Sequence, residues 1–222
     1  MNQLKNSELF EDLSKSIAGE LIGKYEFPWE VLPHIKEYII ELGKTLSSDE
    51  YDNPSENVWI SKSAKVFPSA YINGPAIICA GAEVRHCAFI RGNAIVGENA
   101  VVGNSTELKN VILFNNVQVP HYNYVGDSIL GFKSHMGAGS ITSNVKSDKT
   151  LVTVSVNGEK VETGLKKMGA ILGDNVEVGC NSVLNPGTIV GKESNIYPLS
   201  MVRGYVPTKS IYKNKNEVVN KN

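Results

Sequence analysis

The 222-residue chain has no run of 18 apolar residues, which excludes a membrane-spanning helix. The N-terminal stretch MNQLKNSELFEDL is acidic and amphipathic and lacks the apolar centre of a signal peptide, so a cytoplasmic location is expected. Cysteine is scarce. Cys79, Cys87 and Cys180 are odd in number and follow no ligand spacing, which predicts reduced thiols and no bound metal. A net charge of −1 gives no basic surface for nucleic acid. Aromatic residues make up only 8%, whereas 20 residues are glycine, a balance that suits a fold of many tight turns.

Against these shortages stands a repeat. An aliphatic residue recurs every six positions at Ile60, Val66, Ile72, Ile78, Val84, Ile90, Val96, Val102 and Leu108. Four residues after each of the first seven comes Ala: 64, 70, 76, 82, 88, 94 and 100; Thr106 follows in the same place. The pattern slips by one residue twice, giving Leu113, Val119 and Val125, then Leu130 and Met136. It returns at Leu172, Val178, Leu184, Val190, Ile196 and Val202. A period of six is neither helical nor a plain strand alternation. It predicts a left-handed parallel β-helix, a triangular coil of about 18 residues with three short strands and three turns. The aliphatic residue points inward and the small one sits near a corner.

The flanking segments predict further elements. Residues 1–46 read as helical: one helix over 7–23 with Ser7 as N-cap and Phe10, Leu13, Ile17 and Leu21 as its stripe, and a second over 33–42 ending at Gly43. Residues 47–57 read as a polar linker, 58–206 as the β-helix, and 207–222 as a basic, partly disordered tail. An insert of about 145–168 contains Asn157-Gly158 between two alternating runs, which predicts a β-hairpin.

The coil rule also stacks chemistry. Arg91 and Lys109 each follow an inward aliphatic residue and are one coil apart, so they share an outer face. Two cations about 5 Å apart repel by roughly 1 kcal/mol in watery surroundings. A phosphate bound by the planar guanidinium and the point-charge ammonium offsets that; the alternative is that Glu107 and other acids neutralise them. His121 falls at a slip, in VPHYNYVGDS, where an irregular corner lets a side chain project and act as a general base; a plain surface histidine is the alternative. The step Gly137-Ala138-Gly139 leaves backbone N–H groups for a developing oxyanion, although such a step also serves as an ordinary corner. Asn144 sits where the insert leaves the coil, followed by Lys146 and Lys149.

The strings AFIRGNAIVGENAVVGNSTELKNVIL, PHYNYVGDSILG and MGAGSITSN resemble the C-terminal acetyltransferase domain of the bifunctional sugar-1-phosphate nucleotidylyltransferase/acetyltransferases, a hexapeptide-repeat acyltransferase family. The resemblance covers roughly 58–206, and the hairpin insert is similar to that of archaeal-type members. It implies an acetyl-CoA-dependent N-acetyltransferase acting on an amino-sugar phosphate such as glucosamine 1-phosphate, with no tightly bound cofactor. It implies that Arg91 and Lys109 hold the sugar phosphate, His121 is the base, Tyr124 binds the acceptor, Asn144 positions its amine, and Ala138 offers its N–H. Lys146 or Lys149 matches a further phosphate-binding lysine. Cys180, Pro198, Arg203 and Lys209 line the coenzyme A groove. His135 stands where the family commonly has Asn, among the substrate-binding positions, and Cys180 where it has Ser. Residues 1–57 are too short for a nucleotidylyltransferase domain and carry no glycine-rich nucleotide loop. Shallow β-helix faces predict a homotrimer with sites between subunits. Two rival readings are a non-catalytic sugar-nucleotide-binding or scaffold protein and a zinc enzyme similar to γ-type carbonic anhydrases. The latter needs converging histidines; His86 and His121 have plausible spacing, but no partner sits five residues from His121.

Overall fold

The computed structural model describes residues 1–221. Its architecture is a left-handed parallel β-helix of hexapeptide repeats. Three faces are built from stacked parallel strands. The first runs through Val58–Ser61, Ala76–Ile78, Ala94–Val96 and on to Thr188–Val190 and Tyr205–Val206. The second runs from Lys65–Val66 to Ser210–Asn214. The third runs from Tyr71–Ile72 to Met201–Val202.

The hexad residues form the core. Ile78, Val84, Ile90, Val96, Val102 and Leu108 are fully buried, and so are Leu172, Leu184, Val190 and Val202. The first coil is the exception, because no coil covers it: Val66 keeps 37% of its surface. The corner residue changes along the chain. Early coils use buried Ala, later ones Ser182, Thr188, Ser194 and Ser200. Buried hydroxyls need partners; Thr188 Oγ1 donates to Asn185 O at 2.7 Å and Ser194 Oγ to Pro207 O at 2.6 Å. Many corners turn on one left-handed residue, often Asn, as at Asn93, Asn99, Asn116, Asn175 and Asn181; Asn tolerates that region better than other non-glycine residues.

Both sequence slips have a structural form. At a regular corner two short strands are separated by a turn. At the slips, Glu107–Leu113 and Tyr124–Leu130 run as continuous strands across the corner, turned by a single left-handed residue, Asn110 (φ 56°) and Asp127 (φ 48°).

The three faces differ in their outward rows. On the first, Ile77, Ile95, Ile112, Ile129, Ile171 and Ile189 point away from the coil yet are fully buried, because other segments of the chain lie over them. The helix Ile35–Gly43 packs on the strands at 76–78, 94–96 and 107–113, and Phe10 stacks on Phe114 with centroids 4.8 Å apart. That helix stops at Gly43, where an added Cβ would lie 2.4 Å from the Trp59 ring. The inserted hairpin, Thr153–Val156 paired with Glu159–Glu162, lies against Tyr205–Val206 through its first strand.

Four expectations are corrected. The continuous helix over 7–23 is replaced by short turns at Asn6–Leu9, Leu13–Lys15 and Gly19–Gly23. Its backbone is drawn to the coil instead: Leu9 O accepts from Asp174 N at 3.0 Å, and Glu11 N donates to Asp174 Oδ2 at 2.8 Å. Ser7 caps nothing; Lys5 holds the N-cap position. The stretch read as a linker contains the strand Tyr51–Ser55, antiparallel to Val58–Ser61. The tail forms Ser210–Asn214 and Glu217–Asn220, an antiparallel pair that extends the second face beyond Asn195–Ile196. Nonlocal strand pairing explains both, since a β-helix end is an open edge that needs a partner.

Candidate active site

The third face, and the corner leading from it to the first, gather Arg91, Glu107, Lys109, Tyr124, Asp127 and Asn144. Ile90 pairs with Leu108, and Leu108 with Val125, so Arg91 and Lys109 stack one coil apart as the period requires. Their repulsion is offset by the protein's own acids. Arg91 Nη1 lies 2.7 Å from Glu107 Oε1, and Lys109 Nζ 2.8 Å from Asp127 Oδ1. The Glu107 carboxylate raises the Arg91 pKa further.

Tyr124 faces Glu107 on one neighbouring coil and Ile141 on the other. Its ring lies along its own strand over Gly126, where an added Cβ would meet the hydroxyl at 2.5 Å. Burial raises the Tyr124 pKa, and Asp127 and Glu107 add to the effect, so the phenol stays neutral. Asn144 Nδ2 donates to Tyr124 Oη at 3.2 Å and to Asp127 Oδ2 at 2.5 Å.

His121 and Ala138 occupy consecutive coils at the corner between the second and third faces. Gly139 N donates to His121 O at 3.0 Å. Buried Asn123 fixes this register: its Oδ1 accepts from His121 N at 3.1 Å, while its Nδ2 donates to Gly137 O at 2.9 Å and Ser140 O at 3.0 Å. The His121 ring is exposed, and the Ala138 N–H has no acceptor among the described residues. A projecting imidazole beside an unengaged backbone donor suits proton transfer next to oxyanion stabilisation.

Cys180 and Pro198 continue the same corner: Asn181 N donates to Ala138 O and Leu199 N to Cys180 O, both at 2.9 Å. They line a shallow groove of about 280 Å³ with Val178, Gly179, Ile196 and Tyr197. His135 borders this groove, with Nδ1 2.8 Å from Glu177 Oε2. It therefore stands on the second face, apart from the Arg91–Asn144 cluster with which it was grouped. Arg203 and Lys209 leave the groove as well. Arg203 turns the corner from the third face to the first, near Asn185, and Lys209 lies at the corner from the first face to the second, 3.7 Å from Glu193. Steps of five or six residues carry each a third of a coil away. Lys146, two residues beyond Asn144, is held by Asp148 and Thr150; Lys149 is exposed at a left-handed turn.

Two residues of the site escaped the sequence reading, Asp127 and Asn123. The slip masks the first: the shortened coil pairs Lys109 with Gly126 and Val111 with Ser128, so Asp127 stands at the corner above Asn110 and reaches Lys109 from there.

The repeat and the coil define a hexapeptide-repeat β-helix protein. The chain resembles the bifunctional sugar-1-phosphate nucleotidylyltransferase/acetyltransferases in sequence. It is 36% identical over 194 residues to the bifunctional protein GlmU of Methanococcus maripaludis, spanning 86% of this chain and 47% of that protein. It is 30% identical over 198 residues to the bifunctional sugar-1-phosphate nucleotidylyltransferase/acetyltransferase of Sulfurisphaera tokodaii, spanning 86% and 48%. The chain thus spans about half the length of the curated relatives it matches. The family model described as the GMPPB C-terminal domain matches residues 72–168. A hexapeptide transferase family protein from Anaplasma phagocytophilum aligns over 74% of this chain and 79% of its own, at 14% identity and a TM-score of 0.42.

Proposed function

We propose that the chain is an acetyl-CoA-dependent N-acetyltransferase whose acceptor is an amino-sugar phosphate such as glucosamine 1-phosphate. The observation that carries the reading is the corner where His121 and the unengaged Ala138 N–H are held on adjacent coils by Asn123. The resemblance to relatives named as acetyltransferases supports it.

In this reading His121 takes a proton from the acceptor ammonium, which frees a lone pair on nitrogen. The nitrogen attacks the thioester carbonyl carbon, and the Ala138 N–H holds the oxyanion that forms. Collapse of the intermediate breaks the carbon–sulfur bond; the proton on His121 passes to the leaving thiolate, and the nitrogen loses its surplus proton to solvent to give the neutral amide. Tyr124 and Asn144 orient the acceptor, and holding both reactants replaces a bimolecular encounter with a local one. The groove of Val178, Gly179, Cys180, Ile196, Tyr197 and Pro198 takes the pantetheine arm of coenzyme A, its apolar lining matching that chain. Arg91 and Lys109 hold the phosphate, with Lys146 or Lys149 as a further contact. The outward row of the third face, apolar toward both of its ends, is the surface between subunits of a homotrimer.

A second acceptor class is favoured by one observation. Because Glu107 and Asp127 already neutralise the two cations, a phosphate has to displace Glu107 from Arg91, whereas an unphosphorylated amino sugar does not. Free-thiol release from acetyl-CoA with glucosamine 1-phosphate, galactosamine 1-phosphate and glucosamine decides between them. Release with the phosphorylated acceptors alone is the expected result. Release with glucosamine alone transfers the reading to an unphosphorylated acceptor, and no release with any of them from folded protein overturns it.

A further inference from the structure

The slip that distorts the third corner places a carboxylate where a regular coil has only a turn. Asp127 keeps 3% of its surface and turns the corner with left-handed backbone. Its Oδ1 accepts from Lys109 Nζ at 2.8 Å and Asn110 Nδ2 at 3.0 Å, and its Oδ2 accepts from Asn144 Nδ2 at 2.5 Å. Asn110 turns the corresponding corner of the coil before and also donates to Leu32 O at 3.2 Å. The carboxylate thereby joins two side chains of the coil before, Lys109 and Asn110, to Asn144 of the coil after and, through Asn110, to the N-terminal segment.

We propose that Asp127 is a positioning residue that fixes which way the Asn144 side-chain amide faces. An ionised carboxylate only accepts hydrogen bonds. Asn144 must therefore turn its NH₂ group to Asp127, and the same group reaches Tyr124 Oη. Both amide hydrogens are thus committed inside the cluster, and Oδ1 is left as the group that meets the acceptor. A carbonyl oxygen accepts a hydrogen bond from an amine N–H and aims the nitrogen lone pair away from itself, which is the orientation attack requires. The same carboxylate is paired with the Lys109 ammonium, 2.8 Å from its Oδ1. The alternative amide orientation sets two oxygens against each other at hydrogen-bond distance, a contact with no donor.

Asp127→Asn keeps the shape but supplies a side chain that can donate, so the Asn144 amide is no longer held one way. This assignment rests on the acetyltransferase reading only for its kinetic consequence; the amide orientation itself is measured without turnover. In wild-type protein, the side-chain NH₂ resonances of Asn144 should exchange with solvent well over tenfold more slowly than those of exposed asparagines, and in D127N that protection should be lost. N110A, which removes a different donor from Asp127, should leave it in place. In kinetics, D127N should lower kcat/KM for glucosamine 1-phosphate by roughly tenfold to a hundredfold, the loss of one charge-assisted hydrogen bond, with the change in kcat and little in KM for acetyl-CoA. In an N144A background the same substitution should add less than about twofold, because both act through one group.

An Asn144 amide that exchanges freely in wild-type protein, or one unaffected by D127N, overturns the assignment, and so do fully additive kinetic losses. If D127N does not fold, the wild-type exchange rate still decides. If no acceptor is turned over, the acetyltransferase reading fails by itself and the amide measurement stands apart from it.

Discussion

The first and third faces of the coil share one inward pattern and differ in what stands outside it. On the first face the outward row is a ladder of isoleucines, all buried under the chain's own N-terminal segment and hairpin. On the third it is Tyr71, Phe89, Glu107, Tyr124, Ile141, Val183 and Met201, and its ends are open: Tyr71 keeps 63% of its surface and Met201 62%. A face covered by its own chain supplies stability. A face left open, with ionic and polar groups at its centre, is where a ligand or another subunit has access. Stability and chemistry are thereby separated by a third of a coil.

The largest expected effect tests the covered face. Ile112→Ala empties a fully buried site between coil and helix and should cost about 2–5 kcal/mol, read as a shift in denaturation midpoint. A loss under about 0.5 kcal/mol would mean that the N-terminal segment does not seal that face. Asn123→Ala removes the side-chain partner of the Ser140 carbonyl and of the His121 N–H, while Gly137 O keeps Ser140 N and Oγ as donors. It should cost about 1–3 kcal/mol and lower turnover as well, since the same bonds set His121 against Ala138.

Gly126→Ala separates the two roles. The three nearest atoms that the added Cβ would meet all belong to the Tyr124 phenol, a side chain that can swing aside, so stability should change by less than about 1 kcal/mol. The displaced hydroxyl leaves Asn144, and KM for the acceptor should rise several-fold in steady-state kinetics. The smallest effect belongs to the open face. Met201→Ala should alter the stability of a single chain by no more than about 0.5 kcal/mol, yet shift sedimentation toward smaller species if that row packs against a second copy.

The coil was legible because its signal is local and repeated: every sixth residue must be aliphatic to fill the interior, and each slip displaced the whole pattern by one. Arg91 over Lys109 followed from the same arithmetic. Asp127 did not, because it reads as an ordinary acid until the coil places it at the corner beyond Lys109, and Glu107 entered only as the alternative to a bound phosphate. The rest was lost where one segment answers to another far away. Nothing local in residues 7–23 shows that Leu9 O and Glu11 N bond to Asp174 rather than continue a helix. Residues 51–55 and 210–220 look like polar linker and tail until the open strands beside them are known. Arg203 and Lys209 were assigned to the groove through resemblance alone, without counting the corner each occupies.

One measurement bears most directly on the account: acetyl transfer from acetyl-CoA to glucosamine 1-phosphate by wild-type protein and by His121→Ala, with the melting temperature of each. The account predicts turnover by the wild type, a loss of roughly a hundredfold to ten-thousandfold in the variant, and melting temperatures that agree closely, because the exposed ring supports no packing. A His121→Ala protein that transfers acetyl groups at the wild-type rate would contradict it.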